Sequence, residues 1–224
     1  QADKGLKVNH SNLCSEITLA TNEERTAVCC LSSVNLEEFD EWKDNKYFIP
    51  DLIRMLDNVI THFCDTAPPE LEKAVNSASK ERSLGLGAMG FHAYLQRHNV
   101  PFESAMAKGK NMTMFKHIKG EAQNATRQLA KERGPCPDGG SAGVRNAHLL
   151  AVAPNASSSI ICGNTSPSIE PYRANAFTQK TKSGSSLLKN EYLEHALQEI
   201  DQDTDEVWKS IITNGGSVQH LDFL

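Results

Sequence analysis

Apolar positions along the chain recur at two spacings, and these divide it into helices and strands. Leu52, Met55, Leu56, Val59, Ile60 and Phe63 step by three and four, giving a helix one buried face. Pro50 opens it, since its fixed φ suits a first helical turn. Pro68-Pro69 ends that helix and starts another running towards Lys80. Phe115, Ile118, Ala122, Ala125 and Leu129 mark a longer helix that stops near Gly134-Pro135, where a turn-rich loop runs to Gly143. Residues 11–20 and 27–36 are strand-like, joined by the polar connection 21–26. Leu149 to Ala153 is a short apolar strand leading into Pro154-Asn155-Ala156-Ser157-Ser158-Ser159. A polar strand pair around 176–188 turns at Ser183-Gly184-Ser185. Tyr192, Leu193, Ala196, Leu197 and Ile200 line one closing helix, and Val207, Trp208, Ile211 and Ile212 the other. Asp203 with Glu206 is the expected capping box of the last helix. Strands alternating with helices predict an α/β architecture.

Composition narrows the function classes. With 224 residues, 39% hydrophobic and 23% charged, the chain can bury a full core. A net charge of −5 provides no basic footprint for nucleic acid, and no apolar run approaches the ~20 residues that cross a bilayer. No basic-then-apolar leader precedes the first strand, so a cytoplasmic protein is expected. The start at Gln1 and the end at Asp222-Phe223-Leu224 suggest a fragment of a larger chain. The six cysteines, at 14, 29, 30, 64, 136 and 162, form neither a Cys-x-x-Cys pair nor a zinc spacing, so no bound metal is expected. They are buried thiols or catalytic ones.

Three segments carry candidate chemistry. In Ser11-Asn12-Leu13-Cys14-Ser15-Glu16-Ile17, the residues Asn12, Cys14 and Glu16 are two apart, so extended backbone points an amide, a thiol and a carboxylate the same way. The bland alternative is a surface strand with a polar face. Gly85-Leu86-Gly87-Ala88-Met89-Gly90 spells a dinucleotide-binding glycine pattern, the basis of an alternative reading as a nicotinamide dehydrogenase. The charged run 79–83 before it suits a buried parallel strand poorly, so the glycines are expected to be close-packing positions between a strand and the following helix. Pro154 to Ser159 offers backbone amides and hydroxyls to an anion, or simply caps a helix.

Taken in order, four segments resemble the large subunit of ribonucleotide reductase, of the aerobic class I type. They are Asn12-Leu13-Cys14-Ser15-Glu16-Ile17; Cys29-Cys30-Leu31-Ser32-Ser33; Arg82 to Gly87 with Met89-Gly90-Phe91; and Gly143-Val144-Arg145-Asn146 through Pro154 and Ser157-Ser158-Ser159 to Ile169-Glu170-Pro171. The resemblance covers most of the chain. It implies that residues 1–224 are part of a ten-stranded α/β barrel, holding the finger loop and most of the second half-barrel, with Cys14 at the tip of a loop threaded into the centre. It also implies reduction of ribonucleotides to 2′-deoxyribonucleotides by a thiyl radical on Cys14. Glu16 takes the 3′-hydroxyl proton, Asn12 holds the sugar, and Cys29 is one of two reducing thiols, its partner lying upstream in the family.

The family's register selects Cys29 over its neighbour Cys30, which, like Cys64, is expected to pack as a buried thiol. No role is assigned to Cys136 or Cys162. Pro154, Asn155, Ala156, Ser157 and Ser158 become the cradle for a substrate diphosphate. The implied partners are a radical-generating small subunit with a metal centre, a dithiol reductant of thioredoxin or glutaredoxin type, the remainder of the large subunit, and a second large subunit in a homodimer. A non-catalytic role as the completing piece of a split large subunit is the other alternative.

Overall fold

A computed structural model describes residues 6–182 and 184–224. At its centre two strands, β1 (Cys30–Asn35) and β2 (Leu84–Met89), run parallel, in register from Cys30 opposite Leu84 to Asn35 opposite Met89. Parallel neighbours need a long crossover. Here it comprises a 3-10 turn at Leu36–Glu38, then α1 (Phe39–Trp42), α2 (Phe48–Thr66) and α3 (Glu72–Glu81). Beyond β2 come α4 (Phe91–Arg97) and the 29-residue α5 (Ala105–Arg133), whose first turn is capped by Ser104 accepting from Ala107 N at 3.1 Å. The mixed helix and strand content agrees with the α/β expectation.

α2 begins two residues before Pro50, and its buried face differs in part from the expected one. Ile49, Ile53, Leu56, Asp57 and Ile60 point inward, whereas Met55 and Val59 are each 46% exposed. α5 buries Met114, Ile118, Ala122, Ala125 and Leu129 in the same core as α2. All six residues of β2 are buried, so its glycines lie within a strand and not in the turn that a dinucleotide fingerprint requires. A Cβ at Gly87 would stand 2.4 Å from the Ala151 carbonyl oxygen, and one at Gly85 2.3 Å from Leu31 Cδ2. These are close-packing positions, as expected.

The strand expected at 149–153 reduces to a parallel bridge, Leu150 to Leu86. Leu84 N donates to His148 O at 3.0 Å and Ala151 N to Leu86 O at 3.3 Å. Further along, the Asn155 side chain donates to the carbonyls of Ala88 (3.3 Å) and Ala153 (2.8 Å), occupying the acceptors that a longer ladder would use.

The strand expected at 11–20 is absent. Asn12 N donates to Ile17 O and Ser15 N to Asn12 O, both at 3.2 Å, and Asn12 Oδ1 accepts from Ile17 N at 3.3 Å. Ser15 takes a φ of +61°. Local bonds from a short polar side chain have closed the segment into a loop, so the alternation placing Asn12, Cys14 and Glu16 on one strand face does not apply.

One buried carboxylate ties these parts together. Asp57 of α2 is fully buried and accepts from Arg82 Nε (2.7 Å), Asn146 Nδ2 (3.0 Å), Arg133 at the end of α5 (2.9 Å) and Arg145 Nε (3.4 Å). Burial alone would raise its pKa, but the bond from Arg82, the charges of Arg82 and Arg145 and the bond from Asn146 hold it below the usual aspartate value.

After the short α6 (Ser158–Ile161), β3 (Ala176–Thr181) and β4 (Gly184–Lys189) pair antiparallel, followed by α7 (Glu191–Glu199) and α8 (Asp205–Thr213). Of the turn expected at 183–185, Ser183 lies outside the described residues. Ala176, Leu193, Leu197, Trp208 and Ile211 form a second core. The cap of α8 is Thr204, accepting from Val207 N at 3.3 Å, and not Asp203, which instead accepts from Trp208 Nε1 at 2.6 Å. Among the described residues no helix is long and apolar enough to cross a membrane.

Candidate active site

Two cavities hold most of the candidate residues. The first, of about 280 Å³, lies between the loop 10–21 and the approach to β1, and its wall includes Asn12, Leu19, Thr26, Cys29 and Leu31. The loop is anchored at its base. Leu19 and Ala20 are buried, and the buried Arg25 donates to Asp138 at 2.5 Å and stands 3.9 Å from Glu81. At its tip Leu13 is 99% exposed, and Cys14 is exposed beside it.

The structure therefore brings Asn12 and Cys29 to one cavity. Glu16, from the same loop, also bears on Cys29: its Oε2 is buried without a hydrogen-bond partner, and its charge acts on that thiol. Cys14 and Glu16 do not line the cavity. Burial pushes the Cys29 thiol up to about 12, helped by Cys30, Glu16 and Glu81. Such a thiol stays protonated at neutral pH, as suits a hydrogen donor rather than a nucleophile. Its sulfur would lie 3.3 Å from a Cβ on Gly85, so the absence of a side chain at that position leaves the thiol room. Cys30 packs instead against the main core, as does Cys64, and burial raises both thiols. Cys136 is buried, and Cys162 is exposed.

The second cavity, about 690 Å³, contains Pro154, Asn155, Ala156 and Ser157 in its wall, but not Ser158. Ser157 stands at the start of α6 without making a side-chain cap, so its hydroxyl is not committed to the helix. The segment behind it is locked to the strand ends. Gly90 N donates to Ser166 O at 2.7 Å, Ala93 N to Ser166 Oγ at 3.0 Å, and Thr165 Oγ1 to Asn35 Oδ1 at 3.4 Å. Gly90 is at φ +81°, where a Cβ would stand 2.2 Å from Asn35 Oδ1. Only glycine allows β1, β2 and the serine segment to meet there.

Glu170, Tyr172, Arg173, Phe177 and Gln179 also face this cavity. The spacing of apolar residues could not have found them, because they sit on irregular chain and on one edge of a hairpin. Burial is the first cause that raises the Tyr172 hydroxyl, followed by the charge of Glu37. Among the described residues no group of three His, Cys, Asp or Glu is placed to hold a metal ion.

Residues 1–139 and 137–224 match the family described as "Ribonucleotide reductase, barrel domain". The chain belongs to the ribonucleotide reductase barrel-domain family. The relatives of this reductase barrel agree. A ribonucleoside-diphosphate reductase large subunit of Invertebrate iridescent virus 6 is 52% identical over 210 residues, covering 93% of the chain and 22% of that protein. That of Invertebrate iridescent virus 3 is 48% identical over 227 residues, covering 100% and 36%. The class Id ribonucleotide reductase alpha subunit of Actinobacillus ureae superposes with a TM-score of 0.90 at 42% identity, covering all of this chain and 41% of that one. The chain thus spans about two fifths or less of the relatives it matches.

Proposed function

We infer that this chain is the catalytic barrel region of a ribonucleoside-diphosphate reductase large subunit, acting with the remainder of that subunit. The observation that carries the reading is the grouping around the loop 10–21. Asn12 and Cys29 share a cavity, Glu16 points an unpartnered buried oxygen, and Cys14 stands free at the tip. In this reading the loop is the finger loop at the centre of a ten-stranded barrel, which the rest of the large subunit completes around it.

The chemistry is the one that the resemblance to the reductase family implies for these positions. A thiyl radical on Cys14 takes the 3′-hydrogen of the sugar, a reversible step because S–H and C–H bonds are of similar strength. Glu16 accepts the 3′-hydroxyl proton as the 2′-hydroxyl leaves as water, and its lack of a partner keeps it free to do so. Asn12 orients the sugar. Cys29 and an upstream cysteine supply two hydrogens, one as the proton that turns the departing 2′-hydroxyl into water and one to C2′, and end as a disulfide; the electron released as the disulfide forms and the proton held by Glu16 reduce the 3′-ketone, after which Cys14 returns its hydrogen to C3′. The larger cavity takes the substrate diphosphate against Pro154, Asn155, Ala156, Ser157 and the neighbouring Ser158. The radical comes from the metal centre of a separate small subunit, a dithiol protein restores the disulfide, and the large subunit works as a homodimer.

Cys14→Ser in the full-length enzyme with its small subunit tests the reading. An O–H bond is much stronger than S–H, so turnover should vanish while substrate binding stays within about twofold. A variant keeping a few per cent of wild-type turnover would remove Cys14 as the radical carrier.

A further inference from the structure

The larger cavity lies between two parts of the chain that pack separately. Its near wall, with Asn155, Ser157 and Thr165, is tied to the ends of β1 and β2 beside the main core. Its far wall includes Phe177 and Gln179 of β3. Ala176 of that strand is buried with Leu193 and Leu197 of α7 in the second core, so the far wall moves with α7. The width of the cavity is therefore set by whatever fixes α7 to the main core.

The tie is a buried carboxylate. Tyr192, the second residue of α7, donates its phenol proton to Glu37 Oε1 and accepts from Arg97 Nε at 3.2 Å. Glu37 is 7% exposed, and Arg97 holds it twice, donating to its carbonyl at 3.0 Å and standing 3.6 Å from Oε1. A carboxylate taken out of water is stable only where such partners fix it, so Glu37 is a rigid anchor. Burial and the bond to Glu37 raise the Tyr192 hydroxyl, which therefore stays a donor. Glu37 N in turn donates at 3.1 Å to Asn35 Oδ1, the oxygen that also receives Thr165 Oγ1 from the near wall. Asn35 thus holds one wall and Glu37, two residues on, the other. The charge of Glu37 also reaches Tyr172 in the cavity. Asn35, Glu37, Arg97 and Tyr192 do not line the cavity themselves.

We propose that Glu37 is a positioning residue for the substrate: through Tyr192 it holds the far wall of the larger cavity at the distance where the diphosphate is gripped between both walls. The proposal rests on the reading that places the diphosphate in this cavity. Glu37 touches no reacting atom, and the hydrogen transfers take place at the loop 10–21. Loosening the far wall therefore weakens binding equally in the ground state and the transition state. That signature is a higher KM with kcat unchanged.

The test uses full-length enzyme with its small subunit, assayed with cytidine diphosphate under dithiothreitol. Tyr192→Phe and Glu37→Ala should each raise KM about tenfold, the cost of one hydrogen bond to a charged group, and leave kcat within about twofold. Glu37→Gln keeps an oxygen that accepts from Tyr192, so it should recover most of the affinity lost in Glu37→Ala. General loosening of the fold would lower kcat as well, and one acceptor oxygen would not repair it. Melting curves accompany each variant; if Glu37→Ala does not fold, Tyr192→Phe, which removes a single oxygen, decides alone. A KM within twofold of wild type in Tyr192→Phe, a fall in kcat at unchanged KM, or a Glu37→Gln as weak as Glu37→Ala overturns the positioning role. Wild-type enzyme that forms no deoxycytidine diphosphate overturns the reductase reading itself.

Discussion

Asp57→Asn removes one negative charge from the most heavily shared polar site in the fold and leaves the shape of the side chain almost unchanged. The wild-type carboxylate is fully buried and answers Arg82, Arg133 and Arg145 together with the Asn146 amide. A neutral amide leaves the nearly buried Arg82 guanidinium without its counter-charge and turns an N–H towards donors. Breaking a buried pair in this way costs about 3–5 kcal/mol. At roughly 2–4 °C per kcal/mol for a domain of this size, the melting temperature should fall by about 6–20 °C. Glu132→Gln is the control, because its pair with Arg54 is exposed and screened by solvent, so its loss should move the midpoint little. Urea unfolding of wild type and both variants measures the differences. The folded-state pKa of Asp57 is depressed, so its contribution is present above the unfolded aspartate value near 3.9 and is lost as pH falls through the folded value. Wild type and Asp57→Asn should therefore converge in acid. An Asp57→Asn midpoint within about 1 kcal/mol of wild type at neutral pH would refute the view that this carboxylate organises the fold.

Three further outcomes are expected. In single turnovers without external reductant, Cys29→Ser should stall with loss of base from the sugar, whereas Cys30→Ser, which alters only a core contact, should keep most of its turnover; a product disulfide mapped to Cys30 would move the register by one residue. Replacing Ser157 and Ser158 by Ala should raise the diphosphate dissociation constant roughly tenfold to a hundredfold per bond lost and slow the chemical step less, as equilibrium binding beside single-turnover kinetics would show. Gly90→Ala should cost about 2 kcal/mol or more from its left-handed backbone and the clash with Asn35, whereas Gly109→Ala, with open space around it in α5, should stabilise by about 0.5–1 kcal/mol; paired urea midpoints decide.

Much of the helical frame was legible in the sequence because burial follows the 3.6-residue period. The faces of α5, α7 and α8 were marked by residues such as Ile118, Leu197 and Trp208, all of which are buried. The face of α2 was only partly marked: Leu56 and Ile60 are buried as expected, but Ile49 and Ile53 complete that face while Met55 and Val59 turn outward. The segment 11–20 alternates like a strand, but nothing in the alternation reveals that Asn12 closes the backbone on itself. Of the candidate site, the thiols, Glu16, Asn12 and the serine segment were proposed from ordered motifs. Tyr172 and Arg173 were not, since what qualifies them is the cavity they face, and a cavity is made by residues far apart in the chain.

The parallel arrangement of β1, β2 and the bridge at Leu150 sets an order of events during synthesis. Successive members begin at Cys30 and Leu84 and end at the bridge, so each pairing closes a loop of more than fifty residues before any ladder bond is gained. The helices between them form first and locally, while the glycine-bearing strand waits without side chains of its own to hold a partner at Gly85 and Gly87. Cys29 therefore remains open to oxidants on the nascent chain until β2 arrives beside it. A ribosome must have released past residue 150 before the last strand-like segment can cover the far side of β2. Protection of the thiol site therefore waits on β2, and slow elongation between residues 30 and 89 lengthens the time during which Cys29 can be lost to unwanted disulfides.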